Sequence, residues 1–204
     1  MTLNVSNIFV IHYKLLKDRK EYIEDYFNKK NITNYIFCQD YQREELTEEL
    51  KNKYTYVKNL SPAQICITIE HIEVYKKIIE NNISGWCLIL EDDALFTNNF
   101  IYDLNEILDI IPNDADYIDI CTELIDKTQT NTIYKTPITK TCCSYLIKKE
   151  TCEKILETII PFEFAIDHEL NKQIKIHNLN VYHSRKGLVN HGSCKKYSSS
   201  YVYY

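Results

Sequence analysis

Five apolar residues in a row, Trp86-Cys87-Leu88-Ile89-Leu90, run straight into three carboxylates, Glu91-Asp92-Asp93. The run has no polar alternation, so a strand built from it has no water-facing side. Strands of that kind belong to parallel or mixed sheets covered by helices on both faces. Ligands of such sheets collect at the carboxyl ends of the strands, which is where the acids sit. Adjacent like charges repel, and a divalent cation with hard oxygen ligands is the simplest partner for them; a solvated acidic turn is the plain alternative.

The rest of the chain is consistent with one α/β domain over residues 1–204. Its 204 residues, 45% hydrophobic and 12% aromatic, are enough for a substantial core. Seventeen Tyr and seven Phe contradict disorder. A net charge of -5 leaves no clustered basic face for duplex nucleic acid, which excludes nucleic acid as a partner class. The eight cysteines include no CxxC pair, and several lie within apolar runs. They read as reduced thiols of a reducing, cytoplasmic compartment and argue against a zinc knuckle or a disulfide framework. The start of the chain lacks a basic segment before a strand-length apolar run, so no signal peptide is read, and no stretch has the apolar length of a membrane span.

The glycine count narrows the chemistry further. Only Gly85, Gly187 and Gly192 occur, so neither a GxGxxG fingerprint nor a Walker A loop is present. Glycine-rich backbone nests therefore cannot supply most of the neutralisation of a bound diphosphate. A metal held by carboxylates could.

Periodicity and breakers give the expected elements. Ile8–Ile11 reads as an opening strand, Lys14–Lys29 as an amphipathic helix, Tyr35–Cys38 as a strand, and Glu44–Tyr54 as a polar helix with acids in front and lysines behind. Ser61-Pro62 supplies a cap and a first-turn proline for a helix carrying Ile65, Ile69, Ile72 and Ile79, ended by Asn81-Asn82 and Gly85. Phe100–Ile111 is helical up to Pro112, Asp116–Cys121 and Cys142–Ile147 are strands, and Thr128–Thr132 is a polar loop. Helices over Glu150–Ile160 and Ala165–Ile176, a strand at Leu179–Tyr182 and a tail over 195–204 expected to fray complete the order.

Several side chains along this order are suited to chemistry. Arg19 follows the opening strand and can grip a base or phosphate, or it can form a surface ion pair with a neighbour. His71 stands among isoleucines, where a hydrogen-bonded core histidine is the plain reading. Asp167 follows an apolar stretch and can act as a general base, or it can cap a helix. His191, beside Gly192, can join carboxylates around manganese or sit in a surface turn. Arg185, Lys186, Lys195 and Lys196 form a late basic group that reads as solvated surface or as a diphosphate contact.

Six segments in order carry a resemblance: Phe9-Val-Ile-His12 with Lys17-Asp-Arg19; Ala63-Gln-Ile-Cys66 leading to His71; Leu88–Ala94; Cys143–Lys148; Ala165–Leu170; and Leu188–Ser193. Together they resemble the family 25 glycosyltransferases, a group that includes lipopolysaccharide-modifying enzymes and collagen galactosyltransferases. Two positions depart from the pattern. His12-Tyr13 stands where the family has Asn-Leu, and the helix before the acids lacks its initial glycine.

The resemblance implies a GT-A-like nucleotide-sugar fold with a mainly parallel mixed sheet flanked by helices, and Glu91-Asp92-Asp93 as a DxD-like motif. It implies metal ligation by Asp93, Glu91 and His191, nucleotide contacts from Ile11, Arg19, His71, Glu91 and Asp92, and Asp167 as the base of an inverting transfer. The implied cofactor is Mn2+ or Mg2+. The implied reaction moves galactose or glucose from a UDP-sugar to a saccharide or hydroxylysine-type hydroxyl. Two other classes compete. A magnesium-dependent phosphohydrolase needs an aspartate nucleophile where this chain has Glu91, and a non-catalytic sugar- or partner-binding module could use the same fold.

Overall fold

Alternate side chains of the central strand do face two different layers, and the whole fold is arranged around that fact. A computed structural model describes residues 2–192 apart from Leu124 and Lys140. Ser193, Cys194, Lys195, Lys196 and the tail expected to fray lie outside the described residues. The strands are β1 (Asn7–Ile11), β2 (Tyr35–Cys38), β3 (Trp86–Glu91), β4 (Ala94–Phe96), β5 (Tyr117–Asp119), β6 (Ile133–Thr136), β7 (Ser144–Lys148), β8 (Val181–Ser184) and β9 (Val189–His191). The helices are α1 (Lys17–Lys29), α2 (Glu48–Tyr54), α3 (Pro62–Glu80), α4 (Phe100–Ile110), α5 (Lys149–Leu156) and α6 (Ile166–His177).

Seven strands form one sheet in the order β2-β1-β3-β7-β5-β8-β6. β1, β2, β3, β5 and β8 point the same way, while β7 and β6 run against them, so the sheet is mixed and mainly parallel as expected. In β3, Cys87 and Ile89 join the core layer of α3, α5 and α6 with Ile69, Ile72, Ile155 and Leu170. Leu88 and Leu90 join the opposite layer of α1 and α4 with Ile23, Phe27, Leu104 and Ile107. All four β3 side chains are fully buried. At about 1.5–3 kcal/mol for each large apolar side chain, the strand is a main contributor to the fold.

Local signals set most boundaries. Ser61 and Gln64 cap α3 reciprocally, Ser61 Oγ accepting from Gln64 N at 3.2 Å and Gln64 Oε1 from Ser61 N at 2.9 Å. The helix ends where Asn82 enters the left-handed region at φ 49. α2 starts later than its acidic sequence suggests, because Thr47 accepts from Leu50 N and fixes the start at Glu48. α1 starts at Lys17, the residues before it forming a turn in which Leu16 N donates to Tyr13 O. α5 ends at Leu156, a turn short of the expected stop.

Three strands were not expected. β6 lies at the sheet edge against β8, just after the polar Thr128–Thr132 loop. β4 and β9 pair antiparallel as a separate ribbon, with Ala94 opposite His191. Gly187, before β9, has φ 56, and a Cβ there would lie 2.8 Å from the Thr122 backbone, so glycine permits this close crossing. No helix among the described residues is long and apolar enough to cross a membrane.

Candidate active site

The turn after β3 brings its acids against the end of β1 and the first turn of α1. Asp92 is buried, with Oδ1 accepting from Arg19 at 2.7 Å and Oδ2 from Tyr13 N at 3.0 Å. His12 Nδ1 lies 2.9 Å from the same Oδ2. Both plain alternatives are corrected here. Asp92 and Asp93 do not form a solvated turn, and Arg19, 5% exposed, makes no surface pair but reaches a buried carboxylate 73 residues away. The physical reason is charge balance, since a carboxylate is not stably buried without a partner.

Asp93 faces the β4–β9 ribbon. Gly192 N donates to its backbone carbonyl at 2.7 Å, and its Oδ2 lies 3.5 Å from His191 Nδ1. His191 is therefore fixed on a strand, which corrects the surface-turn reading. Cys143 Sγ donates to Asp93 Oδ1 at 3.8 Å. A hydrogen bond with Cys121, together with burial and the Asp93 charge, holds the Cys143 thiol well above its ordinary range, so it remains an S–H donor.

Glu91 is tied to the reversed strand through its backbone, Glu91 N donating to Cys143 O at 2.9 Å. Its enclosed setting and the charges of Asp93, Asp167 and Asp92 raise its carboxyl well above the usual range. Behind it, His71 Nε2 lies 3.5 Å from Glu91 Oε1 with no hydrogen-bond partner. His71 Nδ1 meets the Tyr145 hydroxyl at 2.7 Å, and Tyr145 meets Tyr75 at 2.7 Å. Burial drives the His71 ring down to about 3, so it is neutral. His71 has no exposed surface, and it lies behind Glu91.

Asp167 arrives from the other side of the sheet's end. α6 begins at Ile166 with Ala165 in the cap position, so Asp167 is not the helix cap. Its Oδ1 instead accepts from Cys142 N at 2.8 Å, just before β7, and the residue is exposed. Cys142 and Cys143 thus link Asp167, Glu91 and Asp93 through consecutive positions of one segment.

A cleft opens beside these groups. It is lined by Ile11, His12, Tyr13 and Arg19 from β1, α1 and the turn between them, by Tyr41 and Arg43 after β2, by Cys66 and Glu70 from α3, and by Glu91, Asp92, Asp93 and His191. Of the residues expected to contact a nucleotide, Ile11, Arg19, Glu91 and Asp92 are on its wall, and His71 is not. His12, Tyr41, Arg43, Glu70 and Cys143 were not singled out from sequence as site residues. His12 and Cys143 flank strands already recognised, whereas Glu70 and Arg43 read as ordinary charged residues until the fold brings them in.

The donor set suits a hard-to-borderline divalent ion. Ligand atoms of Asp93, Cys143 and His191 all lie within 4.8 Å of one another. A carboxylate with an imidazole fits manganese, whereas sulfur is a softer ligand, so Cys143 is better suited to orienting Asp93. Burial first, and then the charges of Asp93, Asp167 and Asp92, raise the Glu91 carboxyl, and such an ion would relieve the crowding of these acids.

Comparison with known proteins identifies the family and the fold. Residues 5–170 match the family model described as glycosyltransferase family 25 (LPS biosynthesis protein). A candidate glycosyltransferase of Acanthamoeba polyphaga mimivirus is 32% identical over 108 residues, a match taking in 51% of this chain and 33% of that protein. The chain thus spans about a third of that relative's length. The crystal structure of a glycosyltransferase involved in glycosylation of the major capsid of PBCV-1 superposes with a TM-score of 0.54 at 11% identity, over 91% of this chain and 92% of that one. At that identity the likeness is one of fold, and the fold is GT-A-like.

Proposed function

The chain belongs to glycosyltransferase family 25, and from that membership we propose that it is a metal-dependent, inverting hexosyltransferase. The donor is UDP-galactose or UDP-glucose, and the acceptor is a hydroxyl of a saccharide, such as a lipopolysaccharide-type glycan, or of a hydroxylysine-type side chain. One observation carries the reading: Asp93 beside His191 and Asp167 on Cys142 meet at the end of β3, around Glu91.

Asp93 and His191, with Glu91 next to them, would hold Mn2+ or Mg2+, which when bound supplies positive charge for the departing diphosphate. Arg19 and His12 lock Asp92, and that keeps the turn carrying Asp93 rigid. Ile11 and Arg19 face the nucleotide from the cleft wall. Asp167 takes the proton of the acceptor hydroxyl as its oxygen bonds to the anomeric carbon, and the bond from that carbon to the diphosphate oxygen breaks on the opposite face. The amide of Cys142 holds the Asp167 carboxylate in place for this step.

The test is release of UDP from UDP-galactose and UDP-glucose, with and without manganese, by the native chain and by Asp167→Asn. A turnover loss of about 10²–10⁴-fold in the variant, with donor binding kept, is expected. Asp167 is not among the residues lining the cleft, which favours one second reading, a non-catalytic sugar-binding module on the same fold. UDP binding without turnover, and with no effect of Asp167→Asn, would establish that second reading instead.

A further inference from the structure

Glu70 is 2% exposed on the wall of the cleft, and its two carboxylate oxygens are treated unequally. Oε1 accepts from Tyr41 N at 2.6 Å. Oε2 is buried with no hydrogen-bond partner. A buried acceptor left unmade costs about 1–3 kcal/mol, so such an atom calls for a ligand or an explanation.

Register shows which part of a ligand would come near it. Ile11 of β1 pairs with Cys38 of β2 on one side and with Glu91 of β3 on the other. The ends of β2 and β3 are therefore two strand spacings apart, about 10 Å. Tyr41, which holds Glu70, comes three residues after Cys38, so the cleft runs from the acids of β3 across the end of β1 to Glu70. A nucleotide with its diphosphate at Asp93 and His191 extends its base in that direction.

We propose that Glu70 reads the donor's base, its uncommitted oxygen accepting the imide N–H of uracil. The inference rests on the nucleotide-sugar reading above and adds to it the residue that selects the base. Uracil carries N3–H, whereas cytosine presents a lone pair at the same position, which a carboxylate oxygen repels. Substitution by glutamine makes the point testable. Tyr41 N requires an acceptor, so the amide oxygen of Glu70→Gln turns toward Tyr41 and its NH2 group takes the place of Oε2. The acceptor facing the base becomes a donor.

Calorimetric titration at about pH 8, above the raised Glu70 titration at about 7 so that the side chain is an acceptor only, of the native chain with UDP, N3-methyl-UDP and CDP, repeated on Glu70→Gln, tests this. The native chain is expected to bind N3-methyl-UDP and CDP about 10- to 100-fold more weakly than UDP. In Glu70→Gln the methyl penalty shrinks toward onefold and CDP gains on UDP. Equal native affinity for UDP and N3-methyl-UDP overturns the inference whether or not the variant folds, as does a variant that keeps the native ratios. Failure of the native chain to bind any of the three nucleotides removes the nucleotide-sugar reading, and this inference with it.

Discussion

Replacing Arg19 by Met removes a full positive charge hydrogen-bonded to buried Asp92, while keeping much of the side chain's volume. Breaking one partner of a buried ion pair costs about 3–5 kcal/mol. Asp92 would retain His12 Nδ1 at 2.9 Å and Tyr13 N at 3.0 Å, which places the expected loss at the lower end, about 3 kcal/mol. For a chain of this size that corresponds to a fall in Tm of about 6–12 °C. Urea unfolding followed by tryptophan fluorescence is well suited, because the single tryptophan, Trp86, begins the central strand. The double variant Arg19→Met/Asp92→Asn, with no charge left to bury, should recover most of the loss. A single variant within about 1 kcal/mol of native, or a double variant no more stable than the single one, would refute the assignment of Arg19 as the counter-charge of the site.

Two pH dependences follow from buried groups. His71 is lowered by burial from 6.5 to about 3, so the unfolded chain takes up the proton first. Its contribution is complete above pH 6.5 and is lost as pH falls from 6.5 toward 3, at about 1.4 kcal/mol per unit, and His71→Leu should show a shallower acid limb in urea titrations across that range. Glu70 behaves in the opposite sense. Burial raises it from 4.5 to about 7, so its own contribution to stability is greatest below pH 4.5 and declines as pH rises from 4.5 to 7, and Glu70→Gln should remove that part of the pH dependence; equal slopes in native and variant would count against it.

The parts of the fold that follow local rules were legible in the sequence. The unbroken Trp86–Leu90 run gave a strand buried on both faces, and Ser61-Pro62 with Gln64 gave the start of α3, because both signals act within a few residues. β4, β6 and β9 were not legible, since strands of three or four residues exist only through the distant segments they pair with. The site divides in the same way. Glu91, Asp92 and Asp93 are contiguous and were visible as a cluster. Their counterparts are Arg19, His12, Cys143 and His191, and which acid meets which partner depends on chain crossings that no spacing reveals. Asp167 shows the difference most directly. Its position in the first turn of a helix resembles that of a cap, yet the carboxylate reaches across to Cys142 N, a partner 25 residues away.

The reversal of β7 has a consequence for how the site tolerates change. A parallel neighbour would deliver its last residues to the edge where the acids gather, whereas this strand delivers the residues just before its first, Cys142 and Cys143. The amide that steadies Asp167, the carbonyl bonded to Glu91 and the thiol facing Asp93 are consequently locked to a single alignment, Leu90 opposite Ser144. A slip of one residue would turn every side chain of that strand to the opposite layer and dismantle all three supports at once, so the stitching of two neighbouring strands governs the geometry of the chemistry.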